Sequence, residues 1–213
     1  MKKEVNNNKY VYFFVKRLFD IILSLLGLII LSPVLIIVAI LIKIDSKGPA
    51  FFVQERIGKN GKIIKIFKYR SMVINAEEKL EKLMQKNPEI KKEYTENKKL
   101  SRDPRITKMG YYIRRYSVDE LPQLLNVLIG NMSLVGPRPY LPREQKDMGK
   151  YYNDVIKCKP GITGLWQVSG RSDVSFNERL KLDKEYAAKR GLVYDIKIFF
   201  RTFGAVLGKK GAK

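Results

Sequence analysis

The longest apolar segment of the chain lies near its start and carries no charge from position 21 to position 42. About 22 residues, at about 1.5 Å of rise each, make a helix just long enough to cross the hydrocarbon core of a bilayer. Ser32 and Pro33 stand in the middle of this run. Because proline removes a backbone donor and kinks or breaks a helix, the pattern predicts a membrane helix with a break at its centre.

Basic residues flank this run on both sides. They are Lys2, Lys3, Lys9, Lys16, Arg17, Lys43, Lys47, Arg56, Lys59, Lys62 and Lys65. Positive charge marks the cytoplasmic side of a membrane segment, so a hairpin that dips into one leaflet and returns suits both flanks, whereas a straight span does not. Re-entry is therefore favoured over a span. A buried helix of a soluble domain is the remaining alternative. A cleavable signal peptide is not expected, because no small-residue cleavage site follows the apolar run.

After the apolar run, the chain first shows the residue pattern of β-strands and then the apolar spacing of helices. Two β-rich runs, 50–58 and 62–72, are joined by Asn60-Gly61, which is typical of a β-hairpin. The charged stretch 76–99 has apolar positions at helical spacing and an interruption at Pro88. We expect this stretch to be a solvated helical excursion without chemistry.

Further helices are predicted from apolar periodicity over 106–116, 117–130, 177–189 and 195–206. Ser117 precedes Glu120 by three residues, as in a capping box, which places Asp119 and Glu120 in the first turn of a helix. The last helix has an apolar face that either lies on the membrane or packs on the core. The expected fold is α+β and mostly helical, with a membrane segment at 1–48 and a catalytic globular unit at 49–213.

Composition narrows the chemistry that this fold can carry. Forty-two Lys and Arg against 21 Asp and Glu give a net charge of +21, with no histidine and one cysteine. These counts exclude catalytic histidine pairs, histidine-ligated metals, internal disulfides and thiolate zinc sites. The charge favours nucleic acid, phosphorylated small molecules or an anionic membrane face. Because basic residues surround the apolar run, the membrane interpretation is preferred to nucleic acid.

Acid–base and nucleophilic roles then fall to carboxylates, lysines, tyrosines or hydroxyls. Asp119 and Glu120 at a helix N-terminus would be kept ionised by the helix dipole, although acidic residues are also common there for stability alone. Arg114 lies one turn upstream and could hold a phosphate. Arg138 stands between two prolines that stiffen its backbone, which suits a pyrophosphate ligand or a simple turn.

An ordered set of motifs resembles the bacterial sugar transferases, the monotopic polyprenyl-phosphate phosphoglycosyl transferases. The motifs are Lys16-Arg17-x-x-Asp20, Ser32-Pro33, and the segments 67–72, 103–107, 114–121, 131–139 and 160–171. The resemblance covers roughly residues 10 to 210 and is weakest around 85–100. It implies transfer of a phosphosugar from a UDP-sugar to undecaprenyl phosphate, with release of UMP, at the cytoplasmic face of the bacterial inner membrane.

The resemblance also implies roles for individual residues. Asp119 would be the nucleophile, Glu120 its partner, and Mg²⁺ would be shared by Asp119 and phosphate oxygens. Arg114 and Arg138 fall on family arginines that bind phosphate, and Ser32-Pro33 on the break of a re-entrant helix. Further candidates for substrate binding are Lys68, Arg70, Pro137, Pro139, Gln167 and Arg171, and secondary acidic candidates are Asp183 and Asp195.

Other features stay open at this point. Galactose or glucose is favoured as the sugar, N-acetylated sugars are not excluded, and a homodimer is a further option. Asp195 could serve only as a helix N-cap. A basic membrane-bound binding module, or a scaffold for glycan assembly without activity, would be the competing functions, and neither gives the Asp119-Glu120 pair a purpose.

Overall fold

A computed structural model gives the fold and describes residues 2–98, 100–170 and 174–208, apart from the side chains of residues 2–8, 206 and 207. The helices are α1 (Lys2–Asp45), α2 (Ala76–Lys86), α3 (Pro88–Asn97), α4 (Lys108–Arg115), α5 (Gln123–Ile129), α6 (Gln145–Met148), α7 (Tyr152–Val155), α8 (Leu165–Val168), α9 (Phe176–Lys189) and α10 (Leu192–Leu207). The strands are β1 (Phe51–Ile57), β2 (Ile63–Tyr69), β3 (Ser133–Val135) and β4 (Gly161–Thr163). The predicted class, mostly helical with a small hairpin, is confirmed.

The long helix α1 runs from Lys2 to Asp45 with Pro33 inside it, so the backbone stays helical where the sequence predicts a kink or a break. Pro33 has no amide to donate to the Ile29 carbonyl, which would normally accept from it. The Ser32 hydroxyl donates to that carbonyl instead, at 2.8 Å. The serine therefore replaces the hydrogen bond that the proline removes, which explains why the helix persists.

One side of α1 packs on the rest of the protein, and the other side is exposed. Val38 and Ile42 are buried against Tyr69 of β2 and Ile113 of α4. The exposed apolar side chains on α1 include Phe14, Ile22, Ile29, Ile30, Ile36 and Ile44. The stretch Lys9–Asp45 is long and apolar enough to cross a membrane. Its exposed apolar surface is typical of a helix in contact with lipid.

Strands β1 and β2 form the predicted antiparallel hairpin, in which Phe51 pairs with Tyr69 and Ile57 with Ile63. A second pair, β3 with β4, is parallel and was not predicted from its glycine-rich sequence. Here the two backbones approach so closely that a Cβ on Gly161 would lie 2.1 Å from the Gly136 amide nitrogen. Glycine is therefore required where β4 meets the segment after β3.

Most of the predicted helices are confirmed. The charged stretch folds as α2 and α3, and Pro88 starts α3 with Asn87 as its N-cap. Helices α4, α9 and α10 lie at the predicted places. The capping box at Ser117 is wrong, because this residue has a left-handed backbone (φ 57°) and its side chain makes no cap hydrogen bond. The residues after it form a 3₁₀ turn, Val118–Glu120, directly before α5.

Candidate active site

Asp119 and Glu120 lie in the 3₁₀ turn before α5, where strand β2 packs against them. Asp119 is only 8% exposed. The Glu120 carboxylate forms an ion pair with Lys68 Nζ of β2 at 2.8 Å. Asp119 has no such ion pair among the described residues. The hairpin thus supplies a cation to one member of the acidic pair and leaves the other carboxylate available.

The surroundings raise the pKa of Asp119 and lower the pKa of Glu120. Burial and, to a lesser extent, the Glu120 charge together raise the pKa of Asp119 to about 6, against the opposing effect of Lys68 and Arg114. Burial acts on Glu120 in the same direction, but the Lys68 ion pair outweighs it and lowers the pKa of Glu120. Near neutral pH, Asp119 is thus an ionised carboxylate of raised basicity, which suits a nucleophile.

A cleft opens beside Glu120. Its lining residues are Arg56, Lys68, Glu120, Gln123, Arg138, Pro139, Gly161, Ile162, Trp166 and Gln167. The wall combines three cationic side chains with one carboxylate, and strand β4 and helix α8 supply its far side. Such a concentration of positive charge suits a ligand that carries phosphate groups.

The backbone around Arg138 is fixed by its neighbours, as the two flanking prolines predict. The Arg138 amide donates to Asp183 Oδ2 at 3.1 Å. The Pro137 carbonyl accepts from the Gly161 amide at 2.8 Å. These contacts tie the loop to α9 and β4. The Arg138 guanidinium itself lies over the Trp166 ring, 5.3 Å from the ring centroid, and faces the cleft.

Arg56 of β1 is a cleft residue that the sequence did not single out. Its guanidinium donates to the Pro139 carbonyl at 2.8 Å and to the Gln54 side chain. Burial and, to a lesser extent, the nearby Arg138 charge together lower the pKa of Arg56 to about 10. Two like charges held this close gain from an anion placed between them.

Trp166 of α8 also lines the cleft and was not assigned a role from the sequence. Its ring lies against two guanidinium groups, those of Arg138 at 5.3 Å and Arg179 at 5.5 Å. The indole N–H is buried and has no hydrogen-bond partner among the described residues. Its position within segment 160–171 was the only signal that could have found it.

Asp183 supports the cleft from behind. It is fully buried, accepts hydrogen bonds from the Tyr140 hydroxyl and the Arg138 amide, and lines no part of the cleft itself. Burial raises the pKa of Asp183 to about 7 against the opposing hydrogen bonds. The structure therefore gives Asp183 the role of holding Arg138 in place.

Asp195 lies elsewhere and binds α1. Its carboxylate accepts from Tyr12 at 2.9 Å, Lys16 at 2.5 Å and Tyr186 at 2.7 Å. Helix α10 begins at Leu192, so Asp195 is not its N-cap. None of these residues lines the cleft. The match of Asp195 to a family acidic position thus corresponds to an anchor between α1 and the C-terminal helices.

Some of the other predicted substrate-binding residues line the cleft, and others lie outside it. Gln167 lines the cleft. Arg114 does not line the cleft, but its charge is close enough to lower the pKa of Asp119. Arg70 is buried and donates to the Ser46 carbonyl at 2.7 Å and to the Lys47 carbonyl, where it holds the end of α1. The structure thus places Arg70 outside the cleft, and its role in substrate binding stays a prediction. Arg171 lies outside the described residues.

Comparison with known proteins places this geometry in a family. The family model for bacterial sugar transferases matches residues 11–209. The chain is 44% identical over 213 residues to the UDP-galactose-lipid carrier transferase of Erwinia amylovora, covering 98% of this chain and 44% of that protein. It is 46% identical over 202 residues to the undecaprenyl-phosphate galactose phosphotransferase of Salmonella typhimurium, covering 93% and 42%.

The chain spans less than half the length of those two relatives. A relative of more similar length is the exopolysaccharide production protein ExoY of Sinorhizobium fredii, which is 40% identical over 197 residues, covering 92% of this chain and 87% of that protein. The match extends from the first third of α1 to α10 and includes the acidic pair and the whole cleft. The chain belongs to the bacterial sugar transferase family.

Proposed function

We propose that the protein transfers a sugar 1-phosphate from a UDP-sugar to undecaprenyl phosphate, giving undecaprenyl diphosphate-sugar and UMP. The observation that carries this proposal is the buried Asp119 beside the ion-paired Glu120, at the edge of a cleft with three cationic side chains. Two relatives are named for galactose transfer to a lipid carrier or to undecaprenyl phosphate, which supports the acceptor. A hexose, galactose or glucose, is the sugar that we favour.

In the first half-reaction, an Asp119 carboxylate oxygen attacks the β-phosphorus of the UDP-sugar. The bond from that phosphorus to the bridging oxygen breaks, and UMP leaves with the electron pair. The product is an aspartyl phosphosugar. Arg138 and Lys68 line the cleft and offset the charge of the phosphates, since phosphoryl transfer depends mainly on positioning and electrostatics.

In the second half-reaction, a phosphate oxygen of undecaprenyl phosphate attacks the same phosphorus. The bond between phosphorus and the Asp119 oxygen breaks, which restores the carboxylate. With two steps, the two substrates need not react with each other directly, although one is dissolved in water and the other stays in the bilayer. The covalent intermediate carries the phosphosugar between them.

Mg²⁺ fits this site as a cofactor shared with the substrate. Among the described residues, no three Cys, Asp or Glu side chains lie close enough to hold a metal ion by themselves. Mg²⁺ is commonly bound by one or two carboxylates plus substrate phosphates, and Asp119 offers a carboxylate beside the phosphate-binding cleft. When bound, the ion would neutralise charge on the phosphoryl oxygens.

We further propose that α1 kinks sharply at Pro33, so that it enters one leaflet of the cytoplasmic membrane and returns to the same side, with the cleft at the cytoplasmic face. Lys16, near one end of α1, contacts Asp195, and Asp45, at the other end, accepts a hydrogen bond from the Met109 amide at 3.1 Å. A straight span would separate these ends by the whole bilayer. One domain that contacts both ends therefore supports insertion from a single side.

Release of UMP by the purified protein tests the proposed reaction. Repeated turnover should need UDP-galactose or UDP-glucose, undecaprenyl phosphate and Mg²⁺ together, and without undecaprenyl phosphate UMP release should stop at about one molecule per protein. The Asp119→Asn variant should release none. Asp154→Asn is the matched control, because Asp154 pairs with two surface lysines, Lys157 and Lys184, and should leave the rate unchanged. Full activity in Asp119→Asn would contradict the proposal.

A further inference from the structure

Gln123, the first residue of α5, carries a polar group that the fold leaves unpaired. The residue is only 1% exposed, and it lines the cleft. Its side-chain nitrogen Nε2 is buried and has no hydrogen-bond partner within residues 2–98, 100–170 and 174–208. Buried amide donors are almost always paired, because an unpaired one costs free energy of folding. The fold itself gives no reason for a glutamine here.

Asn126, one turn further along α5, shows what a structural amide looks like in the same helix. It is fully buried, its Nδ2 donates to the Lys65 carbonyl at 2.7 Å, and its Oδ1 accepts from the Phe67 amide at 2.9 Å. Both ends of this side chain therefore bind the backbone of β2. Gln123 is buried to a similar extent, but its Nε2 has no such partner in the described part of the chain, so burial alone does not explain it.

The position of Gln123 connects it with the acidic pair. It follows Asp119 by four residues and Glu120 by three, and the backbone is helical from Leu121 onwards. Residues three and four apart share one face of a helix. Glu120 and Gln123 both line the cleft, which agrees with this spacing. An amide donor thus lies about one helical turn from the proposed nucleophile.

We propose that Gln123 binds the UDP-sugar by donating a hydrogen bond from its amide nitrogen to a hydroxyl group of the hexose. The inference rests on the proposed function. The cationic side chains Arg56, Lys68 and Arg138 already suit the phosphates. A neutral donor next to the nucleophile suits the neutral sugar on the phosphorus under attack. A site that donates to a substrate hydroxyl also rejects analogues that lack it.

The Gln123→Met variant tests this proposal, because methionine has a similar size and no amide. With the better of UDP-galactose and UDP-glucose, kcat/KM should fall about tenfold or more. The inhibition constant of UMP should stay unchanged, since UMP has no hexose. The unfolding temperature should stay the same or rise, because the substitution removes an unpaired buried donor. Gln123→Leu repeats the test should methionine pack poorly.

Two control variants accompany this test. Gln145→Met replaces an exposed glutamine of α6 and should change none of the three quantities. Asn126→Ser should lower the unfolding temperature, because it removes an amide that binds the backbone. An unchanged kcat/KM in Gln123→Met, an equal loss of UMP affinity, or a lower unfolding temperature would overturn the inference. Absence of UMP release by the unmodified protein would instead overturn the proposed function, and this inference with it.

Discussion

The cleft and the α1 anchor both contain buried carboxylates, yet they are built in opposite ways. In the α1 anchor, formed by Tyr12, Lys16, Tyr186 and Asp195, both oxygens of the Asp195 carboxylate accept hydrogen bonds. Beside the cleft, Asp119 has no ion pair among the described residues, and within the same part of the chain the buried donors of Gln123 and Trp166 have no partner. The paired groups of the anchor hold helices together, whereas the unpaired donors of Gln123 and Trp166 line the cleft, where a ligand could accept from them.

Two further charged residues of α1, Asp20 and Arg17, are also paired with the rest of the protein. Asp20 accepts from the Ser133 hydroxyl at 3.1 Å and the Leu134 amide at 2.9 Å. Arg17 donates to the carbonyls of Val127 and Leu128 at 2.6 and 2.8 Å. Those carbonyls lie at the C-terminal end of α5, whose other end follows the acidic pair. These charges of α1 therefore fix the long apolar helix to the helix that follows the proposed nucleophile.

Replacement of Asp119 should separate activity from stability most clearly. In Asp119→Asn, transfer should fall by at least about 10³-fold, as expected when a nucleophile is removed. The unfolding temperature should not fall, because the ionised Asp119 is unfavourably buried. Rate measurements and thermal unfolding of the same preparation check both halves. A loss of activity that came with a large loss of stability would break the comparison.

Replacement of Asp195 should give the reverse result. Asp195→Asn leaves Lys16 buried without its charge partner, which should lower the free energy of unfolding by about 3 kcal/mol. The transfer rate of the protein that remains folded should be retained. Glu185→Gln is the control, because its ion pair with Lys189 is exposed and should contribute no measurable stability. A catalytic loss without a change in stability would contradict the anchor.

Transfer activity and folding stability should depend on pH with opposite signs. With a pKa of about 6 for Asp119, activity should rise with pH through about 6 as the nucleophile ionises. The folded pKa lies above the unfolded one, so the folded protein binds the extra proton between about pH 4 and 6. Stability should therefore fall with rising pH in that window for the unmodified protein relative to Asp119→Asn. Parallel curves for the two proteins would contradict the raised pKa.

The smallest effect is expected at Ser32. Ser32→Ala removes the hydroxyl that donates to the Ile29 carbonyl in place of the proline amide, which should cost about 1 kcal/mol. Thr95→Ala is the control, because the Lys91 carbonyl that Thr95 binds also has its helical amide donor. Equal stability changes in the two variants would show that Pro33 needs no compensation.

Local patterns in the sequence were enough to predict the hairpin and most helices, and to choose the acidic pair and Arg138 as candidates, whose roles stay predictions. Each of these depends on residues that are close together in the chain. The roles of Arg70 and Asp195 could not be predicted in this way, since Asp195 meets Tyr12 across 183 positions. Arg56 and Gln123 were missed for the same reason: only the packing of β1 and α5 beside the Arg138 loop makes them residues of the cleft.

The covalent intermediate offers the most direct test of the central claim. The protein would be incubated with UDP-galactose or UDP-glucose and Mg²⁺, without undecaprenyl phosphate, and its mass measured intact and after digestion. The proposed mechanism predicts the gain of one phosphohexose on the peptide that contains Asp119, one UMP released per adduct, and loss of the adduct when undecaprenyl phosphate is added. Transfer to undecaprenyl phosphate without any adduct, or an adduct on another residue, would contradict it.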